Sequence, residues 1–133
     1  MRLRIDMPDL MSSVFVLMMS VSLASATEVS DALLREYQQA AAKPFSANNG
    51  EILWRQDLNG RSCTSCHSDS VKAPGRHKRT GKVIEPMSPT ENVLRLTDSK
   101  KIEKWFLRNC KWTFGRECTV QEKGDILLWL SQQ

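Results

Sequence analysis

Hydrophobic residues recur with a helical period in four stretches of the chain. The predicted helices cover residues 31–43, 47–58, 98–111 and 120–132. In the first of them, Leu33, Leu34 and Tyr37 share one stripe. We expect Ser30 to cap this helix and Pro44 to end it.

The starts of the other helices are predicted from their capping residues. Ser46 precedes the second helix, and Thr97 is expected to start the third, with Asp98 in its first turn. Thr119 and Glu122 match a capping box for the fourth helix. Residues 71–89 are rich in Gly, Pro, Lys and Arg, show no sustained period and predict an irregular loop. No segment has a convincing strand pattern, so the predicted fold class is all-α, with one long irregular loop.

The first 26 residues have the composition of a secretory signal peptide. Arg2 and Arg4 precede an almost wholly apolar run at 11–23, and small residues at alternate positions lead up to Ala26. The run is short for a bilayer span, although an uncleaved membrane anchor is the alternative. We expect cleavage after Ala26, a single domain over residues 27–133, and a periplasmic protein.

The net charge of +4 is mild, and basic residues are scattered through two segments with acidic residues between them. This charge predicts weak steering toward an acidic protein partner and no binding of nucleic acid. A chain this short buries a modest core, which a disulfide, a metal or a large cofactor usually supports.

The segment "CTSCH" carries the candidate chemistry at Cys63, Cys66 and His67. A thioredoxin-like redox pair would need alternating strands and helices around it, and these are missing from the pattern. A structural zinc site would need Cys110 and Cys118 as further ligands, at wider than usual spacing. The third interpretation is haem c, in which both thiols bind the haem covalently and His67 is the proximal iron ligand. We favour haem c because the motif follows a helix in a small exported chain.

The ligand on the far side of the iron is left open among Met87, His77, Asn109, water and no ligand. Methionine is the usual ligand in small electron carriers, whereas His77 in its basic loop suits a surface or propionate contact. Asn109 belongs to one helical face that is expected to point inward and consists of Ile102, Trp105, Phe106 and Asn109. An asparagine that bonds to the backbone at a helix end is the simpler explanation.

The cysteines beside this face bear on the choice of ligand. Cys110 and Cys118 are close in sequence and are expected to form a disulfide, which would fix the helix end next to Asn109. Trp105 and Phe106 are expected to pack against the haem, with plain core packing as the alternative for Phe106. From the residues alone, Met87 and Asn109 stay equal candidates.

Several segments together resemble the sphaeroides haem protein family, namely "CTSCH", "PGRHKRTGK", "IEPMSPTEN", "RLTDSKKIEKWFLRNCK", "GREC" and "EKGDILLWL". The resemblance covers residues 51–130 and implies a small class I-like cytochrome c fold around one haem. It implies thioether links to Cys63 and Cys66, a proximal His67, and a distal Asn109 beside the disulfide-bonded Cys110 and Cys118. It further implies that Asn109 leaves ferrous iron and opens a site for oxygen or nitric oxide, and that the redox partner is a membrane cytochrome b or a dihaem cytochrome c.

The predicted function is therefore electron transfer coupled to reversible binding of a diatomic ligand. A plain carrier with Met87 on the iron is the first alternative. A small haem oxidase or reductase acting on oxygen or nitrogen oxides is the second, although no acid–base constellation in the sequence supports specific turnover. A sensor of diatomic ligands is the third, and the sequence has no output domain for it.

Overall fold

The computed structural model describes residues 25–133, which contain five helices and two short strands. These elements are α1 (Ala26–Gln38), α2 (Ala47–Arg55), α3 (Thr64–His67), β1 (Gly75–Arg76), β2 (Val83–Ile84), α4 (Ser99–Phe114) and α5 (Val120–Ser131). Nearly all of the predicted signal peptide, residues 1–24, lies outside the described part of the chain. Across residues 25–133, no helix is both long and apolar enough to span a bilayer.

Helix α1 begins earlier than the sequence pattern predicts, because Ser25 and not Ser30 is its N-cap. The Ser25 hydroxyl accepts a hydrogen bond from the Glu28 backbone N–H, and the Glu28 carboxylate accepts one from the Ser25 backbone N–H. Ser30 cannot form this reciprocal pair, since Leu33 stands three residues after it. Ser30 is instead buried inside the helix, which ends at Gln38, well before Pro44.

The structure corrects the predicted start of α4 and confirms the predicted start of α5. Asp98 is the N-cap of α4 and not a first-turn residue, because its carboxylate accepts the Lys101 backbone N–H at 3.0 Å. Helix α4 continues to Phe114, three residues past the predicted end, and stops where Gly115 takes a left-handed φ of 69°. The capping box of α5 between Thr119 and Glu122 is confirmed.

The segment predicted as an irregular loop contains a small antiparallel hairpin. Gly75 pairs with Ile84, and Arg76 pairs with Val83. The turn between the strands is closed by the His77 N–H, which donates to the Lys82 carbonyl at 2.8 Å. The prediction of no strands is therefore wrong at four residues. Two-residue strands are too short to show the alternation that identifies a strand in sequence.

Helix α5 forms the centre of the core and packs against both α1 and α2. Leu127 is fully buried, and Trp54 and Trp129 lie beside it in the same apolar cluster. Helices α2 and α5 approach closely at Gly50, where an added Cβ would lie 2.0 Å from the backbone oxygen of Asp125. The Asp125 carboxylate also accepts the Ser46 backbone N–H at 2.8 Å, which ties the start of α2 to α5.

Candidate haem site

Helix α3 is a single turn that presents Cys63, Cys66 and His67 on one side. The backbone N–H groups of Cys66 and His67 both donate to the Cys63 carbonyl, at 3.2 and 3.1 Å. Residues three and four apart in a helix lie on the same face, so the spacing brings the two sulfurs and the imidazole together. Ser68 ends the turn at once, with a positive φ of 61°.

The His67 imidazole is held in a largely apolar environment. Its ring lies 5.2 Å from the ring of Trp54, measured between centroids, and its Nδ1 atom is buried without a hydrogen-bond partner among the described residues. Burial, helped by the nearby Arg95 guanidinium, lowers the pKa of His67 to about 4. The imidazole is therefore neutral at physiological pH and has a lone pair for a metal ion.

Cys63, the N-cap residue of α3, and Cys66, within α3, form no disulfide. Burial raises the pKa of Cys63 to about 11, an effect that the adjacent Thr113 side chain partly opposes. Thr113 belongs to α4, so the C-terminal half of that helix lies beside the turn formed by residues 63–67, which we call the attachment turn. Arg61 strengthens this arrangement by donating to the Trp112 carbonyl at 3.3 Å.

Within the polypeptide, helix α4 buries part of the face that the sequence predicts to point inward. The residues turned toward the core are Ile102, Phe106, Cys110 and Thr113, of which Phe106 is only partly buried. Trp105, Asn109 and Trp112 form the adjacent stripe, and the polypeptide leaves all three exposed, with 45% exposure for Trp105. Within the polypeptide, Trp105 and Asn109 thus lie outside the buried stripe, because the apolar positions of α4 span both stripes.

A disulfide joins Cys110 to Cys118, with the two Cα atoms 5.5 Å apart. Both cysteines are buried, and the bridge links the last turns of α4 to the residue that precedes the cap of α5. It engages both thiols that a four-cysteine zinc site would need. In residues 25–133, no group of three or more His, Cys, Asp or Glu side chains is placed to hold a metal ion. The geometry therefore gives no support to the zinc interpretation.

The two other candidates for the distal position lie in the segment 71–89. Met87 is partly buried against the core cluster, and its backbone N–H donates to the Val71 carbonyl at 2.8 Å. His77 lies in the hairpin turn, where its Nδ1 accepts the Thr80 backbone N–H at 3.1 Å. Neither contact directs these side chains toward His67.

Arg95 holds the segment that precedes Met87. Its guanidinium donates to the carbonyls of Pro86 at 2.8 Å and Glu85 at 2.6 Å. Sequence reasoning missed Arg95, Trp54 and Thr113 as neighbours of the site. Each reaches the attachment turn from a distant part of the chain, so no local pattern marks it.

The residues of the attachment turn and of the facing part of α4 fit a covalently attached haem. The attachment turn supplies two neighbouring thiols and a neutral imidazole, and the exposed Trp105 and Trp112 on α4 offer apolar surface to a flat macrocycle. The buried indole N–H of Trp54 has no acceptor among the described residues, which suits a site where a polar group of a cofactor comes close.

Comparison with known proteins agrees with this geometry. Residues 40–130 match a family described as a domain of unknown function, DUF1924. The chain is 42% identical over 106 residues to the cytochrome c-type protein SHP of Cereibacter sphaeroides, covering 76% of this chain and 81% of that protein. The chain belongs to the SHP family of c-type cytochromes. It is also 31% identical over 90 residues to cytochrome c'' of Methylophilus methylotrophus, covering 64% of this chain and 62% of that protein.

Solved structures support the same family and fold. Oxidized SHP, described as an oxygen-binding cytochrome c, matches with a TM-score of 0.74 and 40% identity over 78% of this chain and 96% of that chain. Oxidized cytochrome c'' matches with a TM-score of 0.70 and 27% identity over 81% of this chain and 96% of that chain. The prediction of an all-α, class I-like cytochrome fold is confirmed, as is the prediction of one covalently attached haem c.

Proposed function

We propose that this SHP-family cytochrome is exported to the periplasm, where it transfers electrons and reversibly binds a diatomic ligand such as oxygen or nitric oxide. Cys63 and Cys66 hold the haem by thioether bonds, and His67 is the proximal ligand. Asn109 is the distal ligand in the oxidised state. The bound haem supplies a one-electron centre and one exchangeable coordination position.

The position of Asn109 on α4 is the observation that carries this proposal. Thr113 lies beside the Cys63 thiol, and Asn109 is one helical turn before Thr113, on the exposed stripe next to the buried one that contains Thr113. Trp105 and Trp112 flank Asn109 on the exposed stripe. Asn109 therefore lies next to the side of α4 that meets the attachment turn, with aromatic surface on either side, which supports a role for its amide at the haem.

The chemistry of an amide suits an exchangeable ligand. Its carbonyl oxygen is a neutral, hard and weak donor, which favours the oxidised over the reduced iron. After release, the Asn109 NH2 group can donate a hydrogen bond to a ligand in the same position. The disulfide at Cys110 constrains the neighbouring backbone, so we expect release by rotation of the Asn109 side chain.

The residues on the proximal side keep the imidazole neutral and in place. Trp54 packs against His67, and the turn of α3 fixes its backbone through the Cys63 carbonyl. The nearby Arg95 guanidinium adds a positive charge, which opposes protonation of the imidazole. Because His67 is held in place on the proximal side of the haem, ligands would exchange on the opposite, distal side.

The description of SHP as an oxygen-binding cytochrome c supports oxygen as one ligand of this chain. For the electron donor or acceptor we propose a membrane cytochrome b or a dihaem cytochrome c, as the family resemblance implies. Cleavage of the signal peptide after Ala26 is part of the proposal, and it would remove the Ser25 cap of α1.

Paired absorption spectra of the oxidised and reduced holoprotein, with and without carbon monoxide, test this function. We expect the reduced protein to bind carbon monoxide at once and to bind oxygen reversibly. The oxidised spectrum should lack the thioether-to-iron band in the red that a methionine ligand gives. A reduced protein that stays six-coordinate and inert to carbon monoxide would instead identify a plain electron carrier.

A further inference from the structure

The hairpin formed by β1, β2 and their connecting turn, residues 75–84, carries a concentrated positive charge. Five basic residues fall in the segment 71–84, which has no acidic residue: Lys72, Arg76, Lys78, Arg79 and Lys82. Because the whole chain has a net charge of +4, the remainder of the chain has a net charge of −1. Residues 99–111 of α4 are also basic, but they include Glu103, whereas the hairpin segment has no acidic residue to offset its charge.

These charges are also available to a partner. All five side chains belong to exposed residues, and among residues 25–133 none of them forms an ion pair. Arg76 and Lys78 bond only to backbone carbonyls, those of Gly81 at 2.9 Å and Gly60 at 3.0 Å. These contacts orient two of the cations without neutralising them.

The hairpin is fixed directly onto the haem-attachment turn. The Lys78 backbone N–H donates to the Cys66 sulfur at 3.4 Å. Gly75 packs so closely that an added Cβ would lie 2.0 Å from the Cys66 carbonyl oxygen. The Lys78 ammonium group bonds to Gly60, three residues before Cys63, so the turn is held from two sides. The basic hairpin is thus in direct contact with Cys66, one of the two cysteines proposed to carry the cofactor.

We infer that this hairpin is the docking surface for an acidic redox protein, and that electrons enter and leave the molecule at the Cys66 edge. The inference rests on the electron-transfer function proposed above. A compact basic patch suits an acidic patch on another protein. A membrane surface or a nucleic acid would favour a broad basic face, whereas the hairpin charges are confined to a short segment bonded to one turn. Electrostatic attraction would bring the partner to the part of the surface that is bonded to the sulfur.

The test uses the reduced holoprotein and measures its oxidation by stopped flow with three acceptors. These are hexacyanoferrate(III), the cationic tris(phenanthroline)cobalt(III) and an acidic blue-copper protein. Each acceptor takes one electron from the reduced protein, and no proton or covalent bond is exchanged. The hairpin variant is Arg79→Glu/Lys82→Glu, and the control is Arg35→Glu/Lys43→Glu, which changes the net charge equally at exposed positions of α1 and the segment after it.

At low salt we expect the hairpin variant to react at least about tenfold more slowly with the two anionic acceptors and faster with the cobalt complex. The control should change by less than about twofold, and the difference should vanish at high salt. Equal losses in both variants, or no loss in either, would overturn the docking surface. Loss of binding to phosphatidylglycerol vesicles with unchanged oxidation rates would also overturn it, in favour of a membrane contact. A wild-type protein that reduces none of the acceptors would refute the electron-transfer function itself.

Discussion

Trp54 packs against His67 with 5.2 Å between ring centroids and an angle of 40° between the ring planes. The indole also contacts Trp129 of α5 at 5.6 Å, so it links the attachment turn to the centre of the core. The position of His67 therefore depends on a residue from another helix. This contact explains how a single turn such as α3 can hold a ligand in a fixed orientation.

Replacement of Trp54 tests this link. We expect Trp54→Ala to lower the free energy of unfolding of the holoprotein by about 3–5 kcal/mol, as for other buried aromatic residues. Trp54→Phe should cost less because it keeps an aromatic ring between His67 and Trp129. Denaturant titration followed by Soret absorption measures both variants. Equal stability of wild type and Trp54→Ala would show that the contact does not support the site.

Gly50 allows the close approach of α2 and α5. Although alanine is the better helix former, Gly50→Ala should destabilise the protein by about 1–3 kcal/mol, because its Cβ would overlap the Asp125 backbone. The matched control is Asn48→Ala at an exposed position of the same helix, which should be neutral or slightly stabilising. Thermal unfolding of the two variants gives the comparison, and a stabilised Gly50→Ala variant would contradict the observed packing.

Glu103 connects three helices through its carboxylate. It accepts hydrogen bonds from Tyr37 of α1 and, at 2.7 Å, from Lys123 of α5. Burial opposes ionisation of Glu103, but the bonds from Lys123 and Tyr37 outweigh it and hold the pKa of Glu103 below its ordinary value of 4.5. Ionised Glu103 therefore stabilises the folded protein at pH values above its ordinary pKa. This stabilisation is lost as the pH falls through the lowered pKa.

Glu103→Gln should accordingly be less stable than wild type at neutral pH, by about 1 kcal/mol or less because the pair is partly exposed. The difference should shrink as the pH falls below 4.5. Urea unfolding at a series of pH values measures it, with Glu91→Gln at an exposed position as the control. A difference that is independent of pH would show that the charge of Glu103 does not contribute.

The disulfide should contribute to stability as well as to position. In the chain-entropy account, Cys110→Ser/Cys118→Ser should lose about 2–3 kcal/mol of unfolding free energy, since the bridge closes a short loop. Mass spectrometry of the exported protein should find Cys110 joined to Cys118, with Cys63 and Cys66 on the haem. Free thiols at both positions in the oxidised holoprotein would refute the pairing.

The sequence predicts the features that depend on near neighbours. The helical periods, the capping box at Thr119 and the attachment motif at Cys63–His67 are all local patterns, and the structure contains them. The cap at Ser25 was missed because the predicted cleavage point separates it from Glu28. The hairpin was missed because its strands are only two residues long.

The sequence pattern alone does not say which stripe of α4 the polypeptide buries. Apolar side chains occupy two adjacent stripes of that helix, and the packing partners decide which stripe is buried. The polypeptide covers the stripe that contains Ile102 and leaves the one that contains Trp105 and Asn109 exposed. The contacts of Thr113 with Cys63 and of Trp54 with His67 likewise join residues far apart in sequence.

The central claim is that Asn109 occupies the distal position of the oxidised haem, and the binding of cyanide to the oxidised protein tests it most directly. In wild type the amide must leave before cyanide binds, which lowers the apparent affinity by the fraction of time that the position is closed. We predict that Asn109→Ala changes the oxidised absorption spectrum and binds cyanide faster or more tightly, whereas Met87→Ala behaves as wild type. A changed spectrum in Met87→Ala together with an unchanged one in Asn109→Ala would contradict the assignment and identify a methionine-ligated electron carrier.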